Sequence, residues 1–131
     1  MTDVVTVDED GRYQLRLERH LPHCREHVWH GVLELRRRSA RAHDCSCAHP
    51  PALLEYANRK GILRWEIAED GPTRSILVFT HVCGDRRDGV DDMGWWLTEL
   101  DVLAEILDGH PVADLPRRAT AMIRRCRCAF G

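Results

Sequence analysis

The stretch from Val90 to Leu107 constrains this chain more than any other. Met93, Trp96, Leu97, Leu100, Leu103, Ala104 and Leu107 recur at helical spacing, and Trp95, Val102 and Ile106 widen the apolar face they make. Asp91, Thr98, Asp101, Glu105 and Asp108 stay together as a polar stripe within about 100° of arc. A helix with so broad an apolar face needs a concave partner to cover it. Gly109 and then Pro111 mark its end.

The segments before it supply strands. Tyr13, Leu15, Leu17 and Leu21 alternate with Gln14, Arg16, Glu18 and His20, the period of a strand with one buried and one wet face. After Pro22, Val28, Trp29, Val32 and Leu33 predict a short amphipathic helix over 24–35. Leu53, Leu54 and Tyr56 suggest a short strand, and Leu63, Trp65 and Ile67 alternate with Arg64 and Glu66 in a clearer one. The turn Glu69-Asp70-Gly71-Pro72 joins it to Arg74–Cys83, whose Ile76, Leu77, Val78 and Phe79 are apolar on both faces and call for cover on both. Together these elements predict an α+β chain, helices packed on one face of an antiparallel sheet.

The net charge of -2 over 131 residues conceals a segregation. Residues 35–49 hold four Arg against one acid, and residues 113–131 hold five Arg against one acid. Of the 19 basic and 21 acidic residues, that leaves ten basic and 19 acidic in the rest of the chain. Cys45, Cys47, Cys126 and Cys128 lie in the basic stretches, and Cys24 and Cys83 outside them. Residues 36–51 show no periodicity and read as a loop, and the tail beyond Val112 carries at most a weak helix near 118–125. No apolar run approaches the roughly 18 residues of a membrane span. The opening residues carry Asp3, Asp8, Glu9 and Asp10 where an export leader would be basic and then apolar, so a cytoplasmic address and reduced thiols are expected.

Three segments resemble the START-like (SRPBCC) superfamily, in particular its branch of heat-shock protein 90 ATPase activator homologues. They are Arg12–Leu33, with Leu21-Pro22 and Glu26-His27-Val28-Trp29; the hairpin from Leu63-Arg64-Trp65-Glu66-Ile67 to Thr73–His81; and Gly94-Trp95-Trp96 running to Asp108-Gly109. The resemblance covers roughly 80 residues and implies a helix-grip fold, a curved antiparallel sheet packed around a long C-terminal helix. It also implies a mostly apolar cavity between helix and sheet, for a hydrophobic small molecule or a chaperone-type protein partner. Between the first helix and Leu53 the family carries two or three strands, where this chain has the Arg- and Cys-rich run Leu35–His49. The resemblance therefore implies a truncated sheet, with a START-like domain over 1–112, a divergent insert or loop at 35–51, and a basic tail at 113–131.

Four patterns bear on chemistry. His23-Cys24-Arg25-Glu26-His27 matches H-x-x-E-H, in which two His bind zinc and the Glu acts as base. The helix phase set by Val28, Trp29 and Val32 places His23, His27 and His30 on the solvent side, away from any cleft that could shape a catalytic metal. Cys45-Ser46-Cys47 with His43 and His49, plus Cys126-Arg127-Cys128, offers thiolates in C-x-C spacing, a weaker zinc signal than C-x2-C. The arginine clusters lack interleaved aromatics, so nucleic acid is not expected as a partner, nor is a membrane. No paired carboxylates, nucleophile elbow or phosphate loop is present. No catalytic residue, metal or cofactor is assigned. The side chains expected to line a cavity are Leu63, Trp65, Phe79, Met93, Trp96, Leu97 and Leu100. A non-enzymatic binding module is the leading expectation; the alternatives are a polyketide cyclase or hydrolase-like enzyme using the same cavity, or a degenerate fragment without activity.

Overall fold

In the computed structural model, residues 3–7, 9–38, 44–58, 61–83, 86–111 and 115–130 are described. They form β1 (Val4–Val7), β2 (Tyr13–Leu21), α1 (Arg25–Arg38), β3 (Asp44–His49), β4 (Leu53–Asn58), β5 (Gly61–Glu69), β6 (Ser75–Cys83), α2 (Arg86–Leu107) and α3 (Leu115–Phe130). The six strands make one antiparallel sheet in the order β1-β2-β6-β5-β4-β3. Helices α1 and α2 cover its inner face, and α3 lies on α2.

The alternation read from β2 and β5 fixes the sheet. Register aligns Leu17, Phe79, Trp65 and Leu54 in one row across β2, β6, β5 and β4, and Leu15, His81, Leu63 and Tyr56 in another. These eight side chains are buried on the inner face. They meet Val28, Trp29, Val32 and Leu35 of α1 and Met93, Trp96, Leu100, Leu103 and Leu107 of α2 in a single cluster. Burying a Leu- or Phe-sized side chain contributes about 1.5–3 kcal/mol, so this cluster dominates stability. Leu33, expected in the core, is 37% exposed, and Leu35 takes its place one turn along the buried stripe.

Two expectations are corrected. The 36–51 stretch is not a loop throughout, because Asp44–His49 pairs with β4 as an edge strand with a register shift between Cys45 and Cys47. An edge strand needs hydrogen bonds to one neighbour alone, so Asp-Cys-Ser-Cys-Ala-His can serve despite weak intrinsic strand preference. One of the strands expected to be missing at this point is thus supplied, by β3, while β4 is the short strand expected from Leu53, Leu54 and Tyr56. An additional strand, β1, stands at the other edge, where Asp3 accepts a 2.7 Å bond from Arg19.

The second correction concerns the basic tail, which is a 16-residue helix docked on α2. Part of the polar stripe of α2 is its seat. Arg118 makes two 2.8 Å bonds to Glu105, and Arg127 binds Asp91 at 2.7 and 2.8 Å. These carboxylates raise the pKa of both guanidiniums, chiefly through the hydrogen bonds. Thr98, part of the same stripe, is buried and donates its hydroxyl to Gly94 O at 3.0 Å. The acidic body and the basic tail are complementary halves of one helix pair.

C-x-C on this helix sends its two thiols about 200° apart. Cys126 is 3% exposed in the core cluster, and Cys128 faces solvent. Burial pushes the Cys126 thiol up from its ordinary value near 9. Above about pH 9 the unfolded thiol therefore releases its proton while the folded one retains it, so stability falls as pH rises through that range and gains nothing from this group below it. A thiol-disulfide reagent at neutral pH is expected to label Cys128 within seconds and Cys126 only on unfolding. Equal rates in the folded chain would contradict the buried position.

Candidate functional site

The interior between β5, β6 and α2 brings most of the expected cavity residues together. Trp65 and Phe79 are a cross-strand pair with ring centroids 4.5 Å apart. Trp96 descends from α2 onto them, 4.5 Å from Phe79 and edge-on to Trp65 at 6.1 Å. Leu63, Met93 and Leu100 complete this buried group, while Leu97 is half-buried at its margin. Trp65 Nε1–H donates to Tyr56 OH at 3.1 Å, which satisfies the one polar atom of each ring system.

One feature of the site was not singled out in the sequence. The inward phase of β6 runs Leu77, Phe79, His81, so a histidine occupies a fully buried position among leucines. Trp96 Nε1–H donates to His81 Nδ1 at 3.0 Å, with the two rings edge-to-face at 5.9 Å. An indole nitrogen only donates, so Nδ1 is the acceptor and the neutral ring carries its proton on Nε2. Asp92 Oδ2 stands 3.9 Å from Nδ1. With that nitrogen already accepting from Trp96, the approach is not a hydrogen-bonded ion pair. Asp92 and Glu99, both on α2, are also buried. The legible signal was the alternation itself, which puts His81 in phase with Phe79.

The H-x-x-E-H residues are placed otherwise. His23 precedes α1, and its Nε2 lies 2.9 Å from Asp108 Oδ1. His27 Nε2 donates to Leu107 O at 3.1 Å, and the two imidazoles stand 5.0 Å apart. Half-buried His23 departs from its expected solvent side because it turns to the Asp108 carboxylate just past α2, while His27 caps the Leu107 carbonyl at the helix end. Their Nε2 atoms are used in closing α1 against α2. Of the thiolate set, His43 and the side chain of Cys45 lie outside the described residues. Among the described residues, no group of three or more His, Cys, Asp or Glu side chains is arranged to hold a metal. No helix among them is long and apolar enough to cross a membrane.

No family model matches the chain, and a search of curated proteins returns no match. Solved structures do resemble it. A conserved protein of unknown function from Enterococcus faecalis, EF2215, superimposes with a TM-score of 0.73 at 11% identity, over 98% of this chain and 92% of that one. A protein encoded by the gene BPP1335 of Bordetella parapertussis gives 0.69 at 20% identity, covering 97% and 94%. CalU16 from Micromonospora echinospora gives 0.66 at 14%, covering 97% and 94%. Likeness at these identities establishes a shared architecture, the helix-grip fold, and no more.

Proposed function

We propose that this helix-grip chain is a non-enzymatic binding module that takes a hydrophobic small molecule between its sheet and α2, in the manner of the START-like superfamily and its heat-shock protein 90 activator-homologue branch. The observation that carries the reading is the His81–Trp96 pair set beside the aromatic wall of Trp65 and Phe79. A core built for stability alone is served by aliphatic side chains, whereas a buried imidazole costs about 1–3 kcal/mol unless its bonds are met. Aromatic faces with one oriented polar group are what a largely apolar ligand needs to be held and turned. A chaperone-type protein partner is the variant of this reading in which the domain docks as a unit.

His81 also favours a second reading, a cyclase or hydrolase-like enzyme in the same interior, with the imidazole Nε2–H as the proton donor. One experiment addresses both. Nile red, a neutral apolar dye, is expected to bind saturably at one site and to be displaced by long-chain alcohols and polyaromatic ketones, and His81→Leu is expected to weaken ketones more than the dye. Non-saturating dye uptake by a chain that melts without cooperativity would sink the module reading and mark a degenerate fragment. Turnover of a ketone lost in His81→Leu would establish the enzyme instead.

A further inference from the structure

As a stretch of sequence, residues 113–131 are a basic run for which no membrane partner is expected; folded into one helix, the same residues acquire two faces. The 16 residues of α3 include Arg117, Arg118, Arg124, Arg125 and Arg127 and no acid. At about 100° per residue, Ala119, Met122, Ile123 and Cys126 share one side of the helix and the arginines the opposite half. Ala119 and Cys126 are buried where α3 lies on α2, and Met122 and Ile123 are half-buried there. Arg117, Arg124 and Arg125 are exposed. Arg118 and Arg127 stand at the two borders of the apolar side, and both reach carboxylates of α2, Glu105 and Asp91.

The seat on α2 is therefore an apolar strip with an acid on each bank. The surface of an anionic bilayer offers the same two things, acyl chains beneath and negative headgroups around them. A nucleic acid would meet the guanidiniums and leave the apolar side in water, whereas lipids diffuse and can gather a headgroup at every arginine. Low overall hydrophobicity, sharp segregation of the two faces and a basic polar face mark helices that lie in the interface plane, which needs no membrane-spanning length. The seat is also one that can be left: all four side chains of the Arg118–Glu105 and Arg127–Asp91 pairs are partly exposed, and pairs of that kind hold weakly. We propose that α3 is an exchangeable interfacial helix, which leaves α2 to lie in the surface of an anionic lipid bilayer, where headgroups replace Glu105 and Asp91. Exposed Arg117, Arg124 and Arg125 make the first contact while α3 is still seated, and the apolar side follows on release. The bilayer and α2 compete for one face of α3, so whatever weakens the seat strengthens the hold of the bilayer.

The test sediments the full chain with vesicles of phosphatidylcholine, alone or mixed with phosphatidylglycerol. Binding is expected on the mixed vesicles and not on the neutral ones, and it is expected to fall as salt rises. Arg124→Gln with Arg125→Gln, which leaves the bonds to Glu105 and Asp91 in place, is expected to weaken it about tenfold or more. Gly94→Leu changes no charge and obstructs the seat at Ile123, so it is expected to strengthen binding about tenfold or more, with a cooperative melt as the check on the remaining fold. Asp91→Asn with Glu105→Gln loosens the seat from the α2 side without altering α3, and carries the same expectation by a second route. Binding to neutral vesicles equal to that on anionic ones, or unchanged affinity in the double arginine variant, would overturn the proposal. Unchanged affinity in both seat variants would overturn it too, since α3 would then adsorb without leaving α2. So would tighter binding to duplex DNA than to anionic vesicles at equal phosphate and salt, because the arginines alone would then select the partner.

Discussion

Trp96→Ala is expected to destabilise the chain by about 3–5 kcal/mol, the range for deleting a buried Trp or Phe side chain. Trp96 is the largest of the α2 side chains buried against the sheet, touching Phe79, Trp65 and His81 at once. Its removal leaves a cavity bounded by two aromatic rings, and it strips His81 Nδ1 of its 3.0 Å donor. A domain of this size has about 5–15 kcal/mol to lose, so the variant sits near the edge of folding. The matching drop in melting temperature is roughly 10–20 °C. Trp96→Phe separates the two contributions. It retains most of the ring contact and loses the N–H, and an orphaned buried acceptor costs about 1–3 kcal/mol. Half-buried Trp95 is the control, and Trp95→Ala is expected to cost clearly less. Chemical denaturation of the three variants checks the order, and a loss below about 1.5 kcal/mol in Trp96→Ala would show that α2 is held by something other than this side chain.

How much of this was legible in the sequence depends on whether a residue's role is local. The inner rows of the sheet follow from alternation along β2 and β5, and the grip of α2 follows from its period, because in both cases the face is set by the backbone repeat. Hence six of the seven expected cavity residues fall in one buried group, with Leu97 at its margin. β3 was not legible, since a strand of small polar residues is specified by its neighbour β4 and not by itself. Nor was the seat of α3. Asp91, Thr98, Asp101 and Glu105 form a polar stripe whether it faces water or a basic helix, and periodicity cannot tell the two apart. The information lay in the pairing of two segments more than ten residues apart, an acidic stripe without bases and a basic run with almost no acid. His81 is legible in phase with Phe79, but a lone histidine in an apolar strand reads equally as a boundary residue.

Gly94 provides the sharpest test of that helix pair, and Gly94→Leu is expected to detach α3. A Cβ at this position would stand 2.6 Å from Ile123 Cα and 2.8 Å from Ile123 N, both backbone atoms of α3 that no rotamer change can move. Two effects oppose each other in the milder Gly94→Ala. Helix preference favours alanine over glycine by about 1 kcal/mol, while forcing atoms into a filled interface costs about 1–3 kcal/mol. The contact with backbone makes the second effect the larger, so Gly94→Ala is expected to be neutral to destabilising by up to about 2 kcal/mol. With leucine the helices cannot meet, and the buried contributions of Ala119 and Cys126 are lost with those of half-buried Met122 and Ile123, for a net cost of about 2–4 kcal/mol. The diagnostic readout is chemical. In Gly94→Leu the Cys126 thiol is expected to react as fast as Cys128 while the Trp96 environment is retained. Adding Ile123→Ala is expected not to restore protection, because the clash is with main chain. Gly31 supplies the contrast, since a Cβ there meets only the side-chain ends of Leu107 and Leu103, at 2.7 and 3.0 Å, which can give way. If Gly94→Leu keeps Cys126 protected, α3 is not seated on α2 through this approach, and the pairing of acidic stripe with basic helix must be held by the arginine–carboxylate bonds alone.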